Sequence, residues 1–121
     1  MPRLRQPSTR AGRPDLDRRR YPRYPLQVPI KIQVEGYGET FLAETSDLSR
    51  NGCYVRLQNP LPIALRVQAV LWLDRLVIQI EGRIVTRHPE FGNGIMFLKM
   101  QDRDERALAT YLEAVTCEST F

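Results

Sequence analysis

From residue 28 onward apolar and polar side chains take turns along the chain. Val28, Ile30, Ile32 and Val34 alternate with Pro29, Lys31 and Gln33. A period of two places alternate side chains on opposite faces of an extended segment, so this stretch predicts a half-buried strand. Gly36-Tyr37-Gly38 then reads as a turn and Phe41 to Thr45 as the returning strand. Cys53, Val55 and Leu57 alternate with Tyr54 and Arg56 in a third strand. Asn59-Pro60-Leu61-Pro62 reads as a loop, and Val67 to Leu73 as a fourth strand. Asp74-Arg75 is a tight hairpin connection into a long fifth strand marked by Leu76, Ile78, Ile80 and Ile84. Residues from Arg87 to Gly92 read as a loop, and Gly94 to Phe97 as a sixth strand.

The period changes near the C-terminus. Ala107, Leu108, Tyr111, Leu112 and Val115 follow helical spacing, and Asp102 with Glu105 three residues on resembles a capping box. Six short strands joined by short turns, then one amphipathic helix, predict a mainly β fold with an antiparallel sheet. Closure into a small barrel would remove the exposed sheet edges.

Composition adds little for residues 28 to 116 but changes the picture upstream. The 121 residues are enough for one domain with a tail, and the apolar fraction of 42% is ordinary for a globular protein. Six of the nine prolines fall in the first 29 residues. Residues 1–17 are polar, proline-rich and aperiodic, which predicts a mobile tail. Residues 18–116 form the expected domain and 117–121 a C-terminal tail. No apolar run approaches a membrane span, and the arginine-rich start has no apolar core of a secretory signal. Cys53 and Cys117 make no CxxC pair, and His88 is the single histidine, so a multi-histidine metal site is excluded. A cytoplasmic protein in a reducing compartment is the expectation.

Charge is strongly asymmetric. Residues 1–23 carry eight Arg and two Asp, a net +6, while the remainder carries ten basic and twelve acidic residues, a net −2. Sixteen of the 18 basic residues are arginine. Arginine forks and stacks where lysine does not, which suits phosphate and nucleobase recognition. The arm therefore points to an anionic partner or to a solvated tail.

Two clusters carry candidate chemistry. Asp17-Arg18-Arg19-Arg20-Tyr21-Pro22-Arg23 lies where the tail meets the first strand, with Pro22 and Pro25 restricting the backbone. Asp47-Leu48-Ser49-Arg50-Asn51-Gly52 lies at a strand-to-strand connection. Alone, each has an ordinary reading: a basic linker, and an Asx-type turn in which Asp47 and Ser49 bond their own backbone. Gly52 supplies either a positive φ or room for close approach. Trp72 reads as strand packing, His88 as an exposed loop residue and Cys53 as a small buried hydrophobe. Asp102, Asp104 and Glu105 read as charges suited to a helix N-terminus. No nucleophile-and-base pair and no phosphate-cradling glycine loop is visible, which argues against an enzyme.

Together, Arg19-x-x-x-Arg23, 23 intervening residues and Asp47-x-Ser49-x-x-Gly52 resemble the signature of the PilZ-domain family. The resemblance spans roughly residues 17 to 116, and both motifs are intact. It implies a six-stranded antiparallel β-barrel with a flexible N-terminal arm and one C-terminal α-helix. It also implies a bacterial receptor for the second messenger cyclic di-GMP, with no further cofactor and no metal. By that resemblance Arg19 and Arg23 hold phosphate and guanine, Asp47 accepts from the guanine N1/N2 edge, Ser49 contacts base or phosphate, and Gly52 keeps the loop shape. Arg18 adds a guanidinium that favours an intercalated ligand pair over a single ligand; Arg20 faces either solvent or the other phosphate. Ligand would draw the arm onto the barrel, and output would pass to a downstream protein partner controlling motility, pili or exopolysaccharide. The expected state is a monomer or homodimer without membrane insertion. Two alternatives stand beside this: a structural adaptor of the same fold in type IV pilus assembly that binds no nucleotide, and an arginine-arm nucleic-acid binder. The leading reading expects no nucleic-acid partner.

Overall fold

The computed structural model describes residues 21–119. Six strands are followed by one helix: β1 (Pro29–Val34), β2 (Thr40–Leu48), β3 (Gly52–Arg56), β4 (Arg66–Leu73), β5 (Leu76–His88), β6 (Gly92–Lys99) and α1 (Asp102–Ser119). All pairings are antiparallel, and the sheet closes on itself in the order β1-β2-β3-β6-β5-β4. The barrel predicted from alternation and family resemblance is the barrel observed.

Alternation accounts for the interior. Ile30, Ile32 and Val34 of β1, Val67, Ala69, Leu71 and Leu73 of β4, and Ile78, Ile80 and Ile84 of β5 are almost fully buried in one apolar cluster. Burial of each large aliphatic side chain contributes roughly 1.5–3 kcal/mol relative to exposure. From α1, Leu108 and Leu112 join this core, with half-buried Ala107 and Tyr111 beside them. The helix packs on β5, and its buried Asp104 accepts from the Gln79 amide at 3.3 Å. No helix among the described residues is long and apolar enough to cross a membrane.

Polar groups fasten the connections. The Asn93 side chain is fully buried. Its Oδ1 accepts from the Leu61 amide at 2.7 Å, and its Nδ2 donates to the carbonyls of Leu61 at 2.9 Å and Thr86 at 3.1 Å. Those bonds hold the β3–β4 connection to β6 and β5. Buried Thr45 does the same for the segment leading into β1: its Oγ1 accepts from the Val28 amide at 3.0 Å and donates to the Leu26 carbonyl at 2.7 Å.

Several boundaries differ from those predicted. β2 runs to Leu48 rather than stopping at Thr45, because a bulge between Thr45 and Asp47 breaks the alternation without ending the ladder. β5 continues through His88 and pairs with β6 to its end, so Arg87 and His88 are strand residues and the loop shrinks to 89–91. Asp102 is not a capping residue: Glu105 N–H donates to Gln101 O at 2.9 Å, which puts Gln101 at the cap and Asp102 inside the first turn. The acidic first turn of Asp102, Asp104 and Glu105 suits the positive end of the helix dipole, as expected. The helix runs to Ser119. Asp74 turns the β4–β5 hairpin with a φ of 60°.

Candidate functional site

The site begins with how the chain enters the barrel. Tyr24 and Leu48 exchange backbone hydrogen bonds, each at 2.9 Å, in an isolated antiparallel bridge. Arg23 precedes Tyr24 and Asp47 precedes Leu48, so the two are diagonal neighbours across this bridge, within reach of a long side chain. Arg23 Nη1 donates to Asp47 Oδ1 at 2.7 Å. The same oxygen accepts from the Tyr54 amide at 3.1 Å on the facing strand. No described residue bonds Asp47 Oδ2. The expectation that Asp47 lies in a connection is corrected here: it stands near the end of β2, one residue beyond the bulge.

Ser49 to Gly52 make the turn from β2 to β3. Ser49 N–H donates to Gly52 O at 2.9 Å. The Ser49 hydroxyl is fully buried, 2.8 Å from Asn51 Oδ1 and 3.2 Å from Gly52 O, and it accepts from the Asn51 amide at 3.2 Å. Ser49 thus organises the turn as the Asx-turn reading anticipates, whereas Asp47 departs from that reading: its Oδ1 goes to Arg23 and to the Tyr54 amide on the facing strand. Gly52 has no positive φ. It is there because β6 comes close: a Cβ at Gly52 would lie 2.7 Å from the Ile95 carbonyl oxygen and 3.6 Å from Arg23 Nη2. Of the two reasons offered for a glycine here, close approach is the one observed.

The surroundings explain the local electrostatics. Beside the turn, the Arg50 guanidinium sits over the Tyr21 ring, 5.2 Å from its centroid, a cation–π contact that adds a third link between arm and barrel. Cys53 is fully buried in the core, paired with Leu48 and close enough to Asp47 and Arg23 to feel both charges. Burial raises its thiol pKa far above the usual range, Asp47 adds to the rise and Arg23 opposes it. The Tyr54 phenol is also raised, by burial and then by Asp47. The expectation of Cys53 as a buried hydrophobe holds.

Of the six residues singled out from sequence, the structure brings Arg23, Asp47, Ser49 and Gly52 into one corner of the barrel. Arg18 and Arg19 lie outside the described residues, as do Arg20 and the tail at 1–17. Arg87 is directed elsewhere, its Nε 3.5 Å from the Pro60 carbonyl. Trp72 is paired with Val77 on the outer face of the barrel, 37% exposed. Sequence reading passed over Tyr54, which stands opposite Asp47 in the ladder and bonds His88, its Oη 2.9 Å from Nδ1. Its signal was available: an aromatic on the outward phase of a strand whose other phase is the core.

Comparisons with known proteins agree with this architecture. Residues 17–114 match the PilZ domain family. Among solved structures, the chain is similar to the PilZ domain of CeSA from a cellulose-synthesizing bacterium, with a TM-score of 0.64 at 18% identity, covering 78% of this chain and 97% of that one. It is also similar to the Bacillus subtilis inhibitor of motility MotI/DgrA, with a TM-score of 0.66 at 17% identity, covering 81% of this chain and 51% of that one. No curated protein sequence matches it.

Proposed function

This chain belongs to the PilZ domain family, and from that premise we propose that it is a non-enzymatic receptor for cyclic di-GMP that signals to a partner protein. The observation that carries the reading is the contact between its two motifs: Arg23, the last residue of the arginine motif, is held on Asp47, the first of the DxSxxG motif. A receptor needs cation and carboxylate side by side, because the ligand presents phosphates and a guanine edge together. Guanine offers O6 and N7 acceptors to an arginine fork and N1–H and N2–H donors to a carboxylate. Asp47 Oδ1 is occupied by Arg23 and the Tyr54 amide, which leaves Oδ2 to accept from guanine. The Arg23 fork keeps its remaining N–H groups for O6, N7 or phosphate. Ser49 acts through the turn that aims these groups, and Gly52 through the close approach of β6.

Arg18 and Arg19 supply further guanidiniums in this reading, and the arm closes over the ligand. Output passes to a protein that senses the arm. The similarity to an inhibitor of motility and to a domain from a cellulose-synthesizing bacterium supports motility or exopolysaccharide control as the class of process. Calorimetric titration with cyclic di-GMP, with GMP as control, tests the reading. Saturable binding of the cyclic dinucleotide at least tenfold tighter than GMP supports it; absence of binding rejects it.

A further inference from the structure

We infer that Tyr54 is the stacking wall against which the guanine read by Asp47 lies, and that His88 is the positioning residue that holds its ring. The inference rests on the cyclic di-GMP reading and extends it to residues outside both motifs.

Asp47 and Tyr54 are ladder partners on β2 and β3, so their side chains leave the same face of the sheet. The backbone bond from Tyr54 N–H to Asp47 Oδ1 ties ring and carboxylate into one unit. The ring itself is fixed from two further directions. Its hydroxyl is 2.9 Å from His88 Nδ1, and the two rings lie 5.7 Å apart at a tilt of 42°. A Cβ on Gly92 would clash with the Val55 carbonyl oxygen and come within 3.1 Å of Tyr54 Cε2, so glycine there lets β3 and β6 pair closely with the ring against the start of β6. Tyr54 takes no part in the apolar core. It is an aromatic held on the outside of the barrel by polar contacts, which core packing does not explain.

The ring lines a groove of about 980 Å³ that it shares with Ser46, Arg56, Glu90 and Phe91; Asp47 is not in the lining and stands at its edge only as the neighbour of Ser46 and the ladder partner of Tyr54. Ligand sites typically occupy about 300–1,000 Å³, so a base has room there. Every nucleobase has a π face, so stacking on tyrosine strengthens binding without choosing between purines. Choice falls to the hydrogen-bonding edge, which Asp47 reads. The site thereby divides the work: Tyr54 supplies affinity and Asp47 supplies discrimination.

The test is calorimetric titration of the full chain and its variants with cyclic di-GMP and cyclic di-AMP. Tyr54→Ala is expected to weaken both ligands by about 5- to 150-fold, the range seen for loss of one base–aromatic stack, while leaving their ratio unchanged. Tyr54→Trp keeps a π face and should stay within about threefold of wild type. Tyr54→Phe and His88→Ala each release the ring's anchor, so the double variant should lose no more than either single one. Wild-type affinity in Tyr54→Ala alongside loss in Arg23→Ala overturns the stacking role and leaves the receptor reading intact. A collapse of the guanine-to-adenine ratio in Tyr54→Ala also overturns it, because the residue would then act only by supporting Asp47. Failure of the wild-type chain to bind cyclic di-GMP rejects both readings.

Discussion

Arg23 and Asp47, 24 residues apart in sequence, are joined by a hydrogen-bonded ion pair of 2.7 Å. The bridge between Tyr24 and Leu48 fixes the backbone beneath them, and the Arg50–Tyr21 contact lies beside them. Both side chains of the pair are about one-third exposed, at 35% and 32%. An exposed ion pair of this kind contributes only about 0.2–1 kcal/mol to stability. Its consequence is orientation: the guanidinium and the carboxylate that would meet a nucleotide face the same space.

Arg23→Ala should therefore separate binding from folding. Removal of a charge-assisted contact to the ligand costs about 1.5–3 kcal/mol, or roughly 10- to 150-fold in affinity for cyclic di-GMP. Stability should fall by less than about 1 kcal/mol. Calorimetry and chemical denaturation on the same preparation check this, and wild-type affinity would remove Arg23 from the site.

Gly52→Ala should lower stability directly. The added Cβ would stand 2.7 Å from the Ile95 carbonyl oxygen, a backbone atom that moves only with β6. Overpacking of this kind costs about 1–3 kcal/mol. A denaturation midpoint equal to wild type would mean that β3 and β6 are free to separate at this point.

Ser49→Ala removes a buried hydroxyl that accepts from the Asn51 amide at 3.2 Å and lies within reach of Asn51 Oδ1 and Gly52 O. Leaving such groups unpaired costs about 1–3 kcal/mol. The loss should appear in equilibrium unfolding whether or not nucleotide is present, since it originates in the turn.

Cys53 should resist alkylation in the native protein and react once denatured, as peptide mass mapping would show. Burial is the main reason its thiol stays protonated, with Asp47 the second. The sign of the linkage follows. The folded state holds this proton more tightly, so the contribution is present in full below the unfolded value of 9.0 and is lost as pH rises above it toward the folded value. Rapid native-state modification at neutral pH would show that β2 and β3 open readily.

The barrel was legible because its interior depends on a simple period. Every residue of the run Ile30, Ile32, Val34 is buried as alternation requires. The bulge beside Ser46 was not legible, since an inserted residue looks like the end of a strand. The end of β5 was hidden for a related reason: Arg87 and His88 are polar and exposed, and their strand character comes from pairing with Asn93 and Gly92. At the site, spacing located Asp47, Ser49 and Gly52, and the turn reading anticipated the local bonds of Ser49, but not the bonds of Asp47 to Arg23 and the Tyr54 amide. That Gly52 faces the Ile95 carbonyl depends on β6, which follows it only after β4 and β5. The outward phase of Tyr54 was legible in the alternation of β3, but its place across the ladder from Asp47 was not, because that relation exists only once the register is set.

The central claim is that Asp47 reads a guanine edge. Its most direct test is a double comparison by calorimetry: wild type and Asp47→Ala, each titrated with cyclic di-GMP and cyclic di-AMP. Adenine presents an unprotonated N1 and no 2-amino group, so a carboxylate facing it loses its donors, at a cost of about 1–3 kcal/mol. Wild type should therefore prefer cyclic di-GMP by at least about fivefold. In Asp47→Ala, affinity for cyclic di-GMP should drop and the gap between the two ligands should narrow, because the discriminating group is gone. A variant that still discriminates as strongly as wild type would contradict the account and reduce Asp47 to the anchor of Arg23 and the Tyr54 amide.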